Sequence, residues 1–152
     1  MKAITWLASF AVTAVACATS AFAAPLDGWS EDLSKALEQA KKENKAVLVE
    51  FTGSDWCPPC MAMRKDVFSK KEFVSAAGKK FVLVEIDLPK GDAKTKEKNL
   101  PLVQKHRVEA FPTVILMDAD GKEFTRFTAS QFPTTDAFLK HLDEQLEKKD
   151  LD

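Results

Sequence analysis

Cysteine is scarce in this chain: three in 152 residues, too few for a small scaffold held together by disulfides. Histidine is scarcer still, with His106 and His141 the only two. Both lie far along the sequence from Cys57 and Cys60, so a four-ligand zinc site lacks donors, and no metal is expected. No apolar run beyond residue 27 is long enough to span a bilayer. Basic residues are not in excess, with 22 Lys and Arg against 23 Asp and Glu, which argues against nucleic acid as a partner. Internal repeats and low-complexity segments are also missing. The remainder, 45% hydrophobic and 30% charged, has the composition of one soluble globular domain.

The N-terminus stands apart from that domain. Lys2 is followed by no charge until Asp27, and AITWLASFAVTAVACATSAFA is apolar with small residues towards its end. Ala21-Phe22-Ala23 supplies a small-x-small cleavage pattern, so residues 1–23 are expected to be a signal peptide and residues 24–152 the domain. An uncleaved anchor fits less well, because the run is rich in Ala, Ser and Thr. Acylation at Cys17 is a further alternative, although the Leu expected three residues earlier is replaced by Ala14. Cleavage would remove Cys17 and leave Cys57 and Cys60 as the only thiols. Export to the periplasm or cell envelope would place that pair where disulfides persist.

Periodicity divides the rest of the chain. Ser30 reads as the N-cap of a helix over about 31–43, with Leu33, Leu37 and Ala40 on one face. AVLVEF, residues 46–51, reads as a buried strand. The helix that follows the cysteines runs to about Phe68, and Ser69-Lys70-Lys71-Glu72 has the form of a capping box for a short helix ended by Gly78. FVLVEID, residues 81–87, is a second strand. Residues 88–98 read as a charged, solvated loop, with Asn99 capping a short helix to His106. TVILMD leads through an Asp120-Gly121 turn into KEFTRF as a hairpin. A calcium loop at Asp118 is excluded by Ala129, which stands where its twelfth-position Glu would be. A last helix starts near Thr134 or Thr135. Strands separated by helices imply parallel crossovers, and the hairpin adds an antiparallel pair. Met61, Met63 and Phe68 read as core, and neither histidine is assigned chemistry.

The segment FTGSDWCPPC places two cysteines three residues apart at the start of a helix, one turn from each other and within reach of a disulfide. Cys60 shares a face with Met63 and Val67 and is expected to point inward. Cys57 sits at the helix tip beside Trp56, where free backbone N–H groups favour a thiolate. An exposed thiolate with a shielded partner suits thiol–disulfide exchange: Cys57 attacks, and Cys60 resolves the mixed disulfide. Pro58 and Pro59 are tolerated in a first turn and stiffen the link between the sulfurs. They also remove donors, so thiolate stabilisation is expected to be modest. An inert structural disulfide stays open as an alternative, but it would cross-link almost no chain and stabilise little.

With a strand, Trp-Cys-x-x-Cys, a helix and a later Phe-Pro-Thr ahead of a hairpin, the chain resembles the thioredoxin superfamily, in particular its exported bacterial thiol–disulfide oxidoreductases. The resemblance rests most specifically on Asp55-Trp56-Cys57-Pro58-Pro59-Cys60 and Glu109-Ala110-Phe111-Pro112-Thr113, and extends from about residue 30 to 148. It implies an α/β thioredoxin-like fold, a central mixed β-sheet flanked by helices on both faces. It implies that Pro112 is the family's cis-proline and that Trp56, Phe111 and Pro112 form the substrate-binding surface. It casts Glu50 as the buried acid that moves the proton of the inner cysteine. Here the residue is Glu rather than Asp, one residue further from the first cysteine, with Leu83 where the family often has Lys. The expected activity is reduction of protein disulfides without a cofactor. Its expected partners are disulfide-containing or dithiol client proteins and a membrane electron donor, with the chain as a monomer. Disulfide oxidation or isomerisation, and a non-catalytic binding module, are the alternatives.

Overall fold

A computed structural model describes residues 24–151; the expected signal peptide, including Cys17, lies outside the described residues. Four strands run in the order β2-β1-β3-β4. They are β1 (Ala46–Thr52), β2 (Phe81–Asp87), β3 (Thr113–Met117) and β4 (Glu123–Thr128). β1 and β2 are parallel, whereas β1–β3 and β3–β4 are antiparallel. Five helices join them: α1 (Leu33–Glu43), α2 (Pro58–Met63), α3 (Lys71–Ala77), α4 (Ala93–Lys105) and α5 (Thr135–Leu151). α2 continues into a π-helical segment, Arg64–Phe68. The mixed sheet with helices on both faces is the α/β architecture expected from the sequence.

Strand alternation sorts the core into two layers. Leu48, Leu83, Val114 and Leu116 project to one face, where Met63, Val67, Phe68, Phe73 and Phe138 from α2, the π segment, α3 and α5 cover them. Val47, Val49, Phe51, Val84, Ile86 and Ile115 project to the other, under Leu33, Ala36 and Ala40 of α1 and Val103 of α4. β1 is buried along its whole length because it is central and covered on both sides. Its carboxyl end delivers the chain to the cysteines.

Several boundaries differ from expectation. α1 is capped by Asp32, whose carboxylate accepts from the Lys35 N–H at 3.1 Å. Ser30 instead bridges to β2, its N–H donating to Leu83 at 2.8 Å and its carbonyl accepting from Glu85 at 2.9 Å. The capping box at residues 69–72 does not form: Lys70 is the N-cap without a side-chain bond, and the Ser69 hydroxyl donates back to the Lys65 carbonyl. The charged stretch is not all loop. Asp92 accepts from the N–H groups of Lys94 and Thr95, and α4 starts at Ala93, well before Asn99. Alanine, lysine and glutamate are good helix formers, and here their charges form the solvated face of that helix. Met61 is 41% exposed, because at helical spacing it lies off the buried stripe of Cys60 and Met63. The 118–121 turn is a hairpin as expected, with Asp118 accepting from the N–H groups of Asp120 and Lys122 and Gly121 at φ +81°.

Candidate functional site

The site is built where β1 ends. Gly53 is required by a close approach: a Cβ there would lie 2.4 Å from the Trp56 ring. The Trp56 N–H donates to the Leu88 carbonyl at 2.7 Å, and its ring meets Phe111 edge-on at 5.7 Å between centroids. Ser54 donates its N–H and hydroxyl to the Asp87 carboxylate at 2.9 and 2.5 Å. Asp55 accepts from the N–H groups of Lys90 and Gly91 at 2.9 and 2.7 Å, and these bonds hold its carboxyl below the usual range despite the opposing effect of desolvation. The cysteine loop is thereby fastened to the segment after β2.

Cys57 is the N-cap of α2, with Pro58 and Pro59 as its first helical residues. Cys57 and Cys60 are joined by a disulfide, S–S 2.07 Å and Cα–Cα 5.2 Å. Cys60 is fully buried, and Cys57 retains only 4% exposure. This corrects the expectation of an exposed Cys57: the bond ties its side chain to a buried partner. The Phe111–Pro112 peptide is cis, with Pro112 buried and Phe111 half-buried. The Pro112 carbonyl accepts from the Ala129 N–H at 3.1 Å, whereas Phe111 takes no part in the turn and loop backbone bonds among the described residues.

The first turn of α2 keeps one free backbone donor among the described residues, the Cys60 N–H. Pro58 and Pro59 have no N–H, the Cys57 N–H donates to the Gly53 carbonyl, and the Met61 N–H donates to the Cys57 carbonyl. A cation at residue 59 would supply what is missing. Pro59→His is expected to favour the Cys57 thiolate and raise the reduction potential by about 60 mV, roughly 30 mV per tenfold change. Thiol alkylation against pH, together with titration in redox buffers, checks both. A potential unchanged within about 10 mV would contradict this account of the prolines.

Beneath the helix lies a group of charges that the sequence reading only partly identified. Glu50, 1% exposed, projects from the same sheet face as Leu48 and Val114, the face that α2 covers. Its carboxylate oxygens make no hydrogen bond of good geometry among the described residues, with the buried Thr52 side chain near enough to favour the charged form. Burial foremost, and then the neighbouring Glu85 carboxylate, push its pKa well above the ordinary value, with Arg64 opposing. Glu85 is the register partner of Glu50 on β2 and pairs with the Arg64 guanidinium from the π segment. Burial is the main cause that pushes Glu85 up to about 7. FVLVEID reads as a buried strand, which hides Glu85 and Asp87, and Arg64 reads as one more charge on the helix after the cysteines. The available signal was the strand's period of two, which puts Leu83, Glu85 and Asp87 on one face. Leu83 itself faces Leu48, and the cation near the acids is Arg64.

A raised carboxyl pKa stabilises the folded state fully below the unfolded value, and that contribution is lost as pH rises towards the folded value. His106 and His141, pushed down mainly by burial, act in the opposite direction over part of the same window. The difference between wild type and Glu50→Gln removes that complication. Oxidised Glu50→Gln is expected to gain stability over wild type as pH rises above about 4.5, by about 1.4 kcal/mol for each further step of one in pH, until Glu50 ionises in the folded protein. Urea midpoints measured across this range check it, and a gap that does not change with pH would contradict it.

A bonded Cys-x-x-Cys at a helix tip, with a cis-proline leading into an inner strand of a four-stranded mixed sheet, defines a thioredoxin-like oxidoreductase. The chain belongs to the thioredoxin-like domain family, which matches residues 33–146. It is 35% identical over 99 residues to the disulfide bond reductase DsbH of Chlamydia pneumoniae, covering 63% of this chain and 60% of that protein. It is 33% identical over 116 residues to the thiol:disulfide interchange protein DsbD of Cronobacter sakazakii, covering 76% of this chain but 19% of that protein. The chain thus spans less than two thirds of the length of either relative. A solved structure of a DsbH oxidoreductase superposes with a TM-score of 0.71 at 30% identity, over 85% of this chain and 90% of the other.

Proposed function

We propose that residues 24–152 form a reductant of protein disulfides that works in the cell envelope, after removal of the N-terminal run as a signal peptide. The observation that carries this is the Cys57–Cys60 pair itself, a two-proline ring at the tip of α2 whose prolines remove two of the N–H groups that would otherwise stabilise a thiolate. Weak thiolate stabilisation leaves the disulfide form favoured and the dithiol a good electron donor. The name of the Chlamydia relative, disulfide bond reductase, supports the same direction. Cys57 is the nucleophile, Cys60 resolves the mixed disulfide, and Glu50 accepts the Cys60 proton. Trp56, Phe111 and Pro112 form the surface that receives an extended client segment, which pairs with the backbone of Phe111. The chain acts as a monomer without a cofactor, on disulfide-containing clients, and is recharged by a membrane dithiol donor. Disulfide donation to dithiol clients is the opposite direction of the same chemistry.

Acid-quenching exporting cells and alkylating their free thiols tests the direction. A reductant is expected to be held mostly with Cys57 and Cys60 reduced. A population that is wholly disulfide-bonded would favour donation of disulfides and overturn the proposed direction.

A further inference from the structure

Glu50 has no outlet of its own. Its oxygens are buried and make no hydrogen bond of good geometry among the described residues, so a proton accepted there from Cys60 needs a second carrier to reach solvent. Glu85 is placed to be that carrier. It is the direct register partner of Glu50 across two parallel strands, so both side chains project from the face under α2. Unlike Glu50, it lines a cavity of about 220 Å³. That cavity lies between the cysteine loop, the end of β2 and the start of α4, and it is walled also by Ser54, Asp87, Asp92 and Asn99. Asn99 is 2% exposed; its amide N–H donates to the Asp87 carbonyl, while its Oδ1 is unpartnered among the described residues. Such a hollow suits several waters, each occupying roughly 30 Å³.

We propose that Glu85 is the proton partner of Glu50, exchanging with the water of this cavity the proton that Glu50 exchanges with Cys60. This rests on the reading of Glu50 as the base for Cys60. In the resolving step Glu50, neutral at rest, passes its proton to the Glu85 carboxylate and takes the proton of the Cys60 S–H, while the Cys60 sulfur attacks the Cys57 sulfur of the mixed disulfide. The Cys57–Cys60 bond forms and the client thiolate leaves; over the whole reaction the two cysteines lose two electrons and the client disulfide gains them. Glu85 then passes its proton to water. Re-reduction runs the path backwards. Glu85 is faced by Glu50 from β1, by Asp87 on its own strand, by Arg64 from the π segment and by Glu31 from the N-terminal segment. Arg64 is permanently charged and keeps an anion available on this pair, while the two carboxylates disfavour a second one.

The alternative is that Arg64 and Glu85 only fasten the π segment to the sheet. The release of thiol in the second, resolving phase separates the two, when reduced protein reacts with an aromatic disulfide in a stopped-flow instrument across neutral pH. Glu85→Gln is expected to slow that phase about tenfold and displace its pH midpoint. Glu50→Gln should slow it at least as much, and the double variant should be no slower than Glu50→Gln, because the two groups act in series. Glu85→Asp should restore the phase. A Glu85→Gln phase with wild-type rate and pH profile, alongside a slow Glu50→Gln, would overturn the relay and leave the Glu50 base standing. A wild-type rate for Glu50→Gln would remove the base and the relay together. Multiplicative slowing in the double variant would contradict action in series. Should Glu85→Gln fail to fold with Arg64 unpaired, Glu85→Gln with Arg64→Gln gives a neutral pair to be read the same way.

Discussion

Cys57→Ser is expected to lose disulfide-reducing turnover by roughly a thousandfold or more, because a serine hydroxyl is neither ionised near neutrality nor able to form a disulfide. The complementary variant should behave differently. In Cys60→Ser, Cys57 can still attack, but no inner thiol remains to release the client, so mixed disulfides should accumulate. Insulin reduction in the presence of dithiol reports the first effect, and non-reducing gels of material captured from exporting cells report the second. A Cys57→Ser variant with undiminished turnover would end the assignment of Cys57 as nucleophile. A Cys60→Ser variant that captures nothing, while retaining an alkylatable Cys57, would point to a binding module whose disulfide does not turn over. The burial of Cys57 in the disulfide form makes one further demand. Attack requires the sulfur to be accessible once the bond to Cys60 is broken, so alkylation of the reduced protein should be fast at Cys57 and slow at Cys60.

The second large effect is on stability. Arg64→Ala is expected to destabilise the oxidised protein by about 1.5–3 kcal/mol at neutral pH, the usual worth of hydrogen bonds to charged groups, because Glu85 takes up a proton once its cation is removed. Arg64 does more than neutralise Glu85. Its guanidinium also donates to the carbonyl of Ala24 and so ties the N-terminal segment to the helix bearing the cysteines. Against a total stability of about 5–15 kcal/mol, such a loss is large. It should shrink on acidification, because Glu85, already pushed up to about 7 by burial, becomes a neutral acid that needs no cation. Urea unfolding of both proteins at neutral and mildly acidic pH checks the size and the trend. A loss below about 1 kcal/mol at neutral pH would mean that the pair behaves as a solvated surface contact.

These two variants mark what the sequence made legible and what it hid. The cysteine loop was legible because its signals are local: spacing, paired prolines and the flanking strand and helix all lie within a short segment. Strands β1 to β4 and the hairpin were legible from apolar runs and an Asp-Gly turn. The start of α4 was obscured, because Lys, Asp and Glu suit a loop as well as a solvated helical face. Only the Asp92 cap, with its bonds to Lys94 and Thr95, decides between them. Ser30 was misread for a related reason, since a capping residue and an edge-strand residue look alike until the partner strand is known. The partnership of Glu50, Glu85 and Arg64 depends on the parallel register of β1 and β2 and on a π segment that redirects Arg64. Neither is written in any one stretch of sequence. The acids themselves were visible, as charges in apolar strands where unpaired carboxylates are rarely placed.

The reduction potential of Cys57–Cys60 tests the central claim most directly, by equilibrating the domain in graded redox buffers and counting free thiols by alkylation. A reductant whose prolines leave the Cys57 thiolate little stabilised should give a value near −270 mV, about that of thioredoxin. A value near −120 mV, roughly that of a strong disulfide donor, would contradict the account.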